Sequence, residues 1–242
     1  MAISIDNVYQ RVLALANKEQ RGYITPQEFN LLAGKAQSDI FETYFHEIAT
    51  TKLKRGDNGE YSDQSKVLSE KIAPFEKFQV AMSTIANTNE LTLPVSSAVH
   101  KLGTVFYNAG SSNVVVEAVG KKDLIYMEAS GKTSPNARRP VYVRKRYEIV
   151  KLFPETPSVA YSVSNVTCNY IAKPVDPKWT YVVVNEKALY NASGGVQDFQ
   201  LHASEESTLT NKILELAGII VNKPGLSEVI LRNEAIKEEN RK

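Results

Sequence analysis

The chain has 242 residues, a formal net charge of +2, 43% hydrophobic and 23% charged residues, a composition typical of a globular protein with its own core. One cysteine, Cys168, excludes an internal disulfide and a cysteine-based zinc site, and the small net charge does not indicate a nucleic-acid or membrane partner. No apolar run approaches the roughly 20 residues of a membrane span, and the amino terminus lacks a signal-peptide pattern, so we expect a soluble protein.

The first 73 residues are predicted to be helical. Apolar residues recur at helical spacing over residues 5–16. Residues 25–28, Thr-Pro-Gln-Glu, form a capping box with proline at the first helical position. The apolar stripe that follows predicts a helix over 26–51. A shorter helix over 64–72 follows the polar loop at 55–59.

Residues 74–202 favour β structure, because short alternating runs rich in Val, Tyr and Thr are separated by turn residues. A helical turn is predicted among them at 121–130. The pattern indicates an antiparallel sandwich or a barrel-like sheet. The predicted strands cover 75–82, 91–93, 101–107, 113–119, 141–152, 164–171 and 180–184.

Residues 203–242 return to a helical pattern. Ser204 is the expected N-cap, followed by two glutamates in the first turn. The last stretch carries a thinner apolar stripe of Leu226, Val229, Ile230 and Ile236 before a charged tail. We predict that the segment 226–242 contacts a neighbouring chain or a partner protein, with Leu226, Val229 and Ile230 as candidate subunit-interface residues.

The predicted fold is therefore α+β with an inserted domain. Helices from 1–73 and from 203–242 form one helical domain. An antiparallel β-sandwich or barrel-like domain, residues 74–202, is inserted between them.

The sequence carries no arrangement typical of an enzyme, since nucleophile-elbow, zinc-protease, P-loop and dinucleotide motifs are all missing. Residues 17–28 fall in the register of an EF-hand loop, with Gly22 sixth and Glu28 twelfth. Arg21, however, occupies the fifth position, where calcium needs an oxygen ligand. We predict no catalytic, cofactor-binding or metal-binding residues.

A basic segment runs from residue 132 to residue 151. Arginine presents a planar fork of donors that pairs with carboxylates across protein interfaces. We therefore name Arg138, Arg139, Arg144 and Arg146 as candidate subunit-interface residues. The alternative is a nucleic-acid-binding module built on the same segment. Its seven basic residues, against the single acid Glu148, are Lys132, Arg138, Arg139, Arg144, Lys145, Arg146 and Lys151.

Several stretches along the chain resemble a known family. They are NKEQRGYITPQEFN at 17–30, DIFETYF at 39–45, KKDLIY at 121–126, RPVY at 139–142, YIAKPVDPKWTY at 170–181, FQLHASEE at 199–206 and KILELAG at 212–218. Together they make the chain similar to virion structural proteins of podovirus-type and crAss-like tailed bacteriophages.

This resemblance implies a neck protein, that is, a head–tail connector or ring adaptor, with a helical fold that carries a β domain. Such proteins form a twelve-fold homo-oligomeric ring beneath the portal, through which the genome passes. The implied partners are further copies of the chain, the portal protein, other neck or tail ring proteins and the passing DNA. The implied location is the virion, after assembly in the host cytoplasm. A tail-tube or minor capsid role stays open.

Overall fold

The computed structural model describes residues 3–17, 24–53, 60–85, 89–94, 98–108, 113–136, 138–154 and 165–220. Contacts between Cα atoms divide the chain into two compact units. We call Met1–Pro74 with Pro174–Lys242 the helical unit, and Phe75–Lys173 the β unit. The described residues form a mixed α+β fold, with five helices and an eight-stranded, nearly closed barrel-like sheet.

The helical unit holds four of the five described helices. The second begins where the capping box predicts: the Thr25 amide donates to the Glu28 carboxylate over 2.9 Å, and the Glu28 amide donates to the Thr25 hydroxyl over 3.3 Å. Among the described residues, no helix is both long enough and apolar enough to cross a membrane. The four helices are α1 (Ile5–Asn17), α2 (Pro26–Leu53), α3 (Glu60–Ile72) and α5 (Glu206–Ile220).

Helix α5 packs against α1 and α2, and the Arg11 guanidinium lies 2.9 Å from the Glu206 carboxylate. Its predicted start differs from the structure. The chain first makes a 3-10 turn over Ala203–Glu205, and the His202 side chain, rather than Ser204, accepts the cap bond from the Ser204 amide. Imidazole nitrogen accepts such a bond as a hydroxyl does.

Residues 174–202 lie in the helical unit, whereas the sequence pattern assigned them to the β domain. Long-range polar contacts explain the difference. The Gln37 amide group donates to the Val175 carbonyl over 2.7 Å and accepts from the Gln200 amide over 3.0 Å. These contacts join distant segments, so no local pattern predicts them. The stretch also carries a two-stranded sheet of β9 (Tyr181–Val184) and β10 (Lys187–Tyr190).

The β unit contains the eight-stranded sheet, whose strand order is β1-β8-β4-β5-β6-β7-β3-β2. The two outermost strands follow each other in the chain, with only Met82 between them. The Met82 amide donates to the Val166 carbonyl of β8 over 3.0 Å, so the two edges of the sheet meet there. The strands are β1 (Glu76–Ala81), β2 (Ser83–Thr84), β3 (Glu90–Thr92), β4 (Val99–Asn108), β5 (Asn113–Ala118), β6 (Val141–Arg144), β7 (Ile149–Phe153) and β8 (Val166–Ala172).

The interior of the sheet is filled by alternate residues of its strands. On β8, for example, Val166, Cys168 and Tyr170 point inward and are buried. The same cluster takes buried residues from β3, β4, β5, β6 and β7. The core therefore lies inside the nearly closed sheet.

One strand pair departs from the predicted antiparallel arrangement. Strands β5 and β6 are parallel, because helix α4 (Lys121–Ala129) carries the chain back to the end from which β5 started. Leu124 of this helix packs on Val141, Val143 and Phe153. Strand β6 is consequently buried on both faces, since Tyr142 points into the sheet interior.

Candidate functional site

The basic segment forms one end of the β6–β7 hairpin. Strand β6 ends at Arg144, so Arg146 lies in the turn at 145–148 rather than on a continuing strand. The Arg144 guanidinium donates to the Tyr147 carbonyl over 2.8 Å and lies 5.3 Å from the centre of the Tyr147 ring. Lys145 pairs with Glu90. These contacts hold Arg144 in place and leave the Arg146 side chain exposed.

Arg138 and Arg139 lie on the turn before β6. The Asn136 side-chain oxygen accepts the backbone amides of both arginines over 3.0 Å each. The Arg139 guanidinium lies 3.2 Å from the Glu117 carboxylate, with both side chains more than half exposed. Exposed pairs of this kind contribute little to stability, about 0–1 kcal/mol. Both arginines are therefore accessible to a partner.

A cavity of about 340 Å³ opens beside Arg144. Its lining combines apolar side chains with Tyr142 and Arg144. Burial raises the pKa of the Tyr142 hydroxyl, which the nearby Arg144 charge partly opposes, so the hydroxyl stays neutral at physiological pH. The cavity is lined by Leu102, Ala118, Val119, Gly120, Tyr142 and Arg144.

The β9–β10 hairpin of the helical unit is a second surface; its first strand was predicted at 180–184, and its second strand was missed. Directly paired residues share a face, so Val182, Leu189, Val184 and Lys187 lie on one side, and Tyr181, Tyr190, Val183 and Ala188 lie on the other. The signal for the second strand was two short runs, YVVV and KALY, separated by the two residues Asn185 and Glu186, because asparagine is common at the first position of such a turn.

Trp179 anchors one face of this hairpin. Its ring stacks on Tyr181 and on Tyr190, with 5.8 Å between centroids in each case. Its indole nitrogen donates to Asp6 over 2.9 Å, and its ring lies 4.4 Å from that of Tyr9. The opposite face keeps its apolar side chains in solvent: Val182, Val184 and Leu189 are 50%, 46% and 52% exposed.

The other predicted site residues, Leu226, Val229 and Ile230, lie outside the described residues, as does Arg21 of the EF-hand-like loop. Within the described ranges, no group of three or more His, Cys, Asp or Glu side chains could hold a metal ion. The described residues thus present two separate candidate surfaces: a basic, partly apolar one in the β unit, and a hairpin with exposed apolar side chains in the helical unit. Surfaces of this kind bind macromolecules.

Comparisons with known proteins do not assign the chain to a family. A scan of the chain against protein-family models finds no match. A search of curated proteins likewise finds no similar sequence.

Proposed function

We propose that this protein is a non-enzymatic structural subunit of the neck of a tailed bacteriophage. Copies of the chain form a homo-oligomeric ring between the portal and the tail, and the genome passes through it. The helices of both chain termini form the body of the subunit, and the barrel-like β unit is inserted into that body. The proposal is supported by the resemblance of stretches spread along the chain to neck proteins of podovirus-type and crAss-like phages.

The observation that best supports a ring is that the two units have net charges of opposite sign. Phe75–Lys173 has 12 Lys and Arg against 7 Asp and Glu, a net charge of +5, which leaves −3 on the rest of the chain. A ring closes through an interface between two different surfaces of the same subunit. Surfaces of opposite sign suit such a contact, because they steer copies toward one orientation.

Reversing charge in the basic segment tests this function. We expect the double variant Arg144→Glu/Arg146→Glu to keep its circular dichroism spectrum but to lose the ring seen by native mass spectrometry and electron microscopy. The matched control is Lys77→Glu/Lys173→Glu, which changes the charge of the β unit equally at exposed positions outside the segment. If the wild-type chain stays monomeric at every concentration, the ring proposal is wrong. If both variants assemble normally, the basic segment does not form the subunit interface.

A nucleic-acid-binding module is the second candidate, and the exposure of Arg138, Arg146 and the Tyr147 ring favours it. Arginine and aromatic side chains together bind single strands by charge and stacking. Titration of labelled DNA at several salt concentrations distinguishes the two functions. An affinity that falls steeply with salt and vanishes in Arg144→Glu/Arg146→Glu, while that variant still forms rings, would favour this candidate.

The neighbours in the particle are a separate part of the proposal. We expect the portal protein and another neck or tail ring protein on the two sides of the ring. Imaging of the assembled particle checks this. Density for the chain in the tail tube or the capsid shell would instead support a tail-tube or minor capsid role.

A further inference from the structure

We propose that the β9–β10 hairpin of one copy docks onto the β unit of the next copy. In this contact, Glu186 at the hairpin tip faces Arg144 and Arg146, and the exposed valine and leucine face covers the cavity beside Arg144. The inference rests on the proposed ring and names the two surfaces that join its subunits.

The hairpin presents apolar side chains to solvent. Trp179, itself only 2% exposed, packs against Tyr181 and Tyr190 on one side, although Val183 and Tyr190 on that side remain 63% and 41% exposed. The other side places Val182, Val184 and Leu189 in solvent. A two-stranded sheet without a packing partner is at best marginally stable, and clustered apolar side chains in solvent mark an interaction site.

The tip of the hairpin carries a strained acidic residue. Asn185 and Glu186 both have positive φ angles, 49° and 62°, as a two-residue turn of this type requires. Asparagine tolerates that conformation, but a residue such as Glu186 is disfavoured there by about 1 kcal/mol, and glycine would avoid the cost. Strain of this kind is found where a side chain serves a contact, and here it places a carboxylate at the outermost point of the hairpin.

The proposed acceptor surface for the hairpin is the cavity beside Arg144 together with the arginines near it. The cavity beside Arg144 has a volume of about 340 Å³, which lies in the range of pockets that take a few apolar groups. Its lining combines apolar side chains with the polar Tyr142 and the charged Arg144, and the exposed Arg146 lies in the adjoining turn. In the docked contact, Val182, Val184 and Leu189 therefore meet the apolar side chains of the cavity, and Glu186 meets Arg144 and Arg146, while Lys187 on the same face as Val184 stays at the margin.

The net charges of the two units indicate that the cavity is filled by the hairpin of a second copy of the chain. The hairpin belongs to the part of the chain that carries −3, and the cavity belongs to the β unit that carries +5. A contact between two different surfaces leaves one hairpin and one cavity unfilled on every open chain of subunits, and only closure of the ring fills both. A second copy of the chain thus completes both surfaces at once.

Mixed disulfide trapping tests the contact. Purified Glu186→Cys protein is mixed with purified Arg146→Cys protein under mild oxidation, and we expect a disulfide-linked dimer of one copy of each. The control mixture pairs Glu186→Cys with Lys77→Cys, also exposed on the β unit, and should give little dimer. The native Cys168 is buried and does not interfere. The double variant Glu186→Cys/Arg146→Cys then shows whether the bond forms between copies or within one.

Charge exchange provides the second measurement. Glu186→Lys should raise the concentration needed for half-assembly by about tenfold or more, because it opposes like charges at a docked contact, and Arg144→Glu in the same chain should restore assembly. Rings that form normally while the mixed disulfide stays at the control level overturn this inference and leave the proposed function standing. A disulfide that forms only within one chain also overturns it. A wild-type chain that never assembles contradicts the proposed function itself.

Discussion

Cys168 illustrates how burial controls chemistry at the scale of one residue. It lies on β8 with its side chain in the interior of the sheet, and burial raises the pKa of its thiol to about 11. At pH 8 about one thiol in a thousand is then ionised, and only the thiolate reacts with disulfide reagents.

We therefore expect Cys168 to react with Ellman's reagent at pH 8 far more slowly in the native protein than in denaturant. Native reactivity should rise as the pH approaches 11. The variant Thr104→Cys adds an exposed thiol on β4 and serves as the internal reference, since that thiol should react at once. Rapid reaction of two thiols per chain in the native variant would contradict the buried placement.

Glu186 offers a second prediction at this scale. Replacement of a non-glycine residue that has positive φ by glycine removes a steric cost of about 1 kcal/mol, so Glu186→Gly should raise the free energy of unfolding of the monomer by a similar amount. Urea unfolding measures it. Asn185→Gly is the matched control and should change stability less, because asparagine tolerates this conformation. A destabilised Glu186→Gly would show that the tip is not strained. Under the docking inference, the same variant should assemble less well although it is more stable.

At the scale of the element, the start of α2 depends on the reciprocal bonds between Thr25 and Glu28. Thr25→Ala leaves an amide at the helix start without its partner and should lower the free energy of unfolding by about 1 kcal/mol. Thr43→Ala is the matched control, since the Thr43 hydroxyl only bonds the Asp39 carbonyl within the same helix and should matter much less. Equal losses in the two variants would contradict the capping role.

The capping box also predicts a pH dependence. The backbone and hydroxyl hydrogen bonds from Thr25 hold the pKa of the Glu28 carboxyl below its usual range. A lowered folded-state pKa means that this stabilisation is present above the pKa of the unfolded chain and is lost as the pH falls through the folded value. The difference in stability between Glu28→Gln and wild type should therefore shrink below about pH 4. If the stability difference between the two proteins is constant from pH 7 to pH 3, the ionised Glu28 carboxylate does not stabilise the start of α2.

Elements with a local signal were predictable and elements defined by distant partners were not. The capping box located the first residue of α2. The run at 141–152 was predicted as one strand, because its turn at Lys145–Glu148 contains no glycine, proline or asparagine. Strand β10 was missed for a similar reason, since the turn at Asn185 is followed by a glutamate where glycine is usual. The parallel pair β5–β6 and the pairing of Arg139 with Glu117 depend on residues far apart in the chain.

Part of the candidate site was likewise predictable from the sequence, and part was not. The four arginines were named from charge density alone, which is a property of the sequence. Their surroundings were not predictable: the ring of Tyr147 beneath Arg144, the apolar cavity beside it, and the uncovered hairpin face all arise from tertiary packing. Exposure is the property that separates an interface valine from a core valine, and a strand pattern cannot supply it.

At the scale of the whole molecule, the β unit is an insertion whose two ends lie together. Strand β1 opens the unit and β8 closes it, and the two are paired antiparallel with Glu76 opposite Ile171 and Lys77 opposite Tyr170. Directly opposite residues in such a pair have Cα atoms about 5 Å apart. The chain therefore enters and leaves the β unit at one place, as inserted domains do.

This geometry predicts that the two units fold separately. Residues 75–173 expressed alone should give a folded protein, because the eight-stranded sheet and its core are contained in that segment. The remaining chain, with residue 74 joined to residue 174 by about three glycine and serine residues, should keep a helical circular dichroism spectrum. Protection of Cys168 from labelling reports on the isolated β unit. The matched control is residues 75–164, which lack both Cys168 and β8, the strand that lies between β1 and β4; this fragment should show no cooperative thermal transition. A reactive Cys168 and a broad thermal transition in residues 75–173 would show that the β unit needs the helical unit in order to fold.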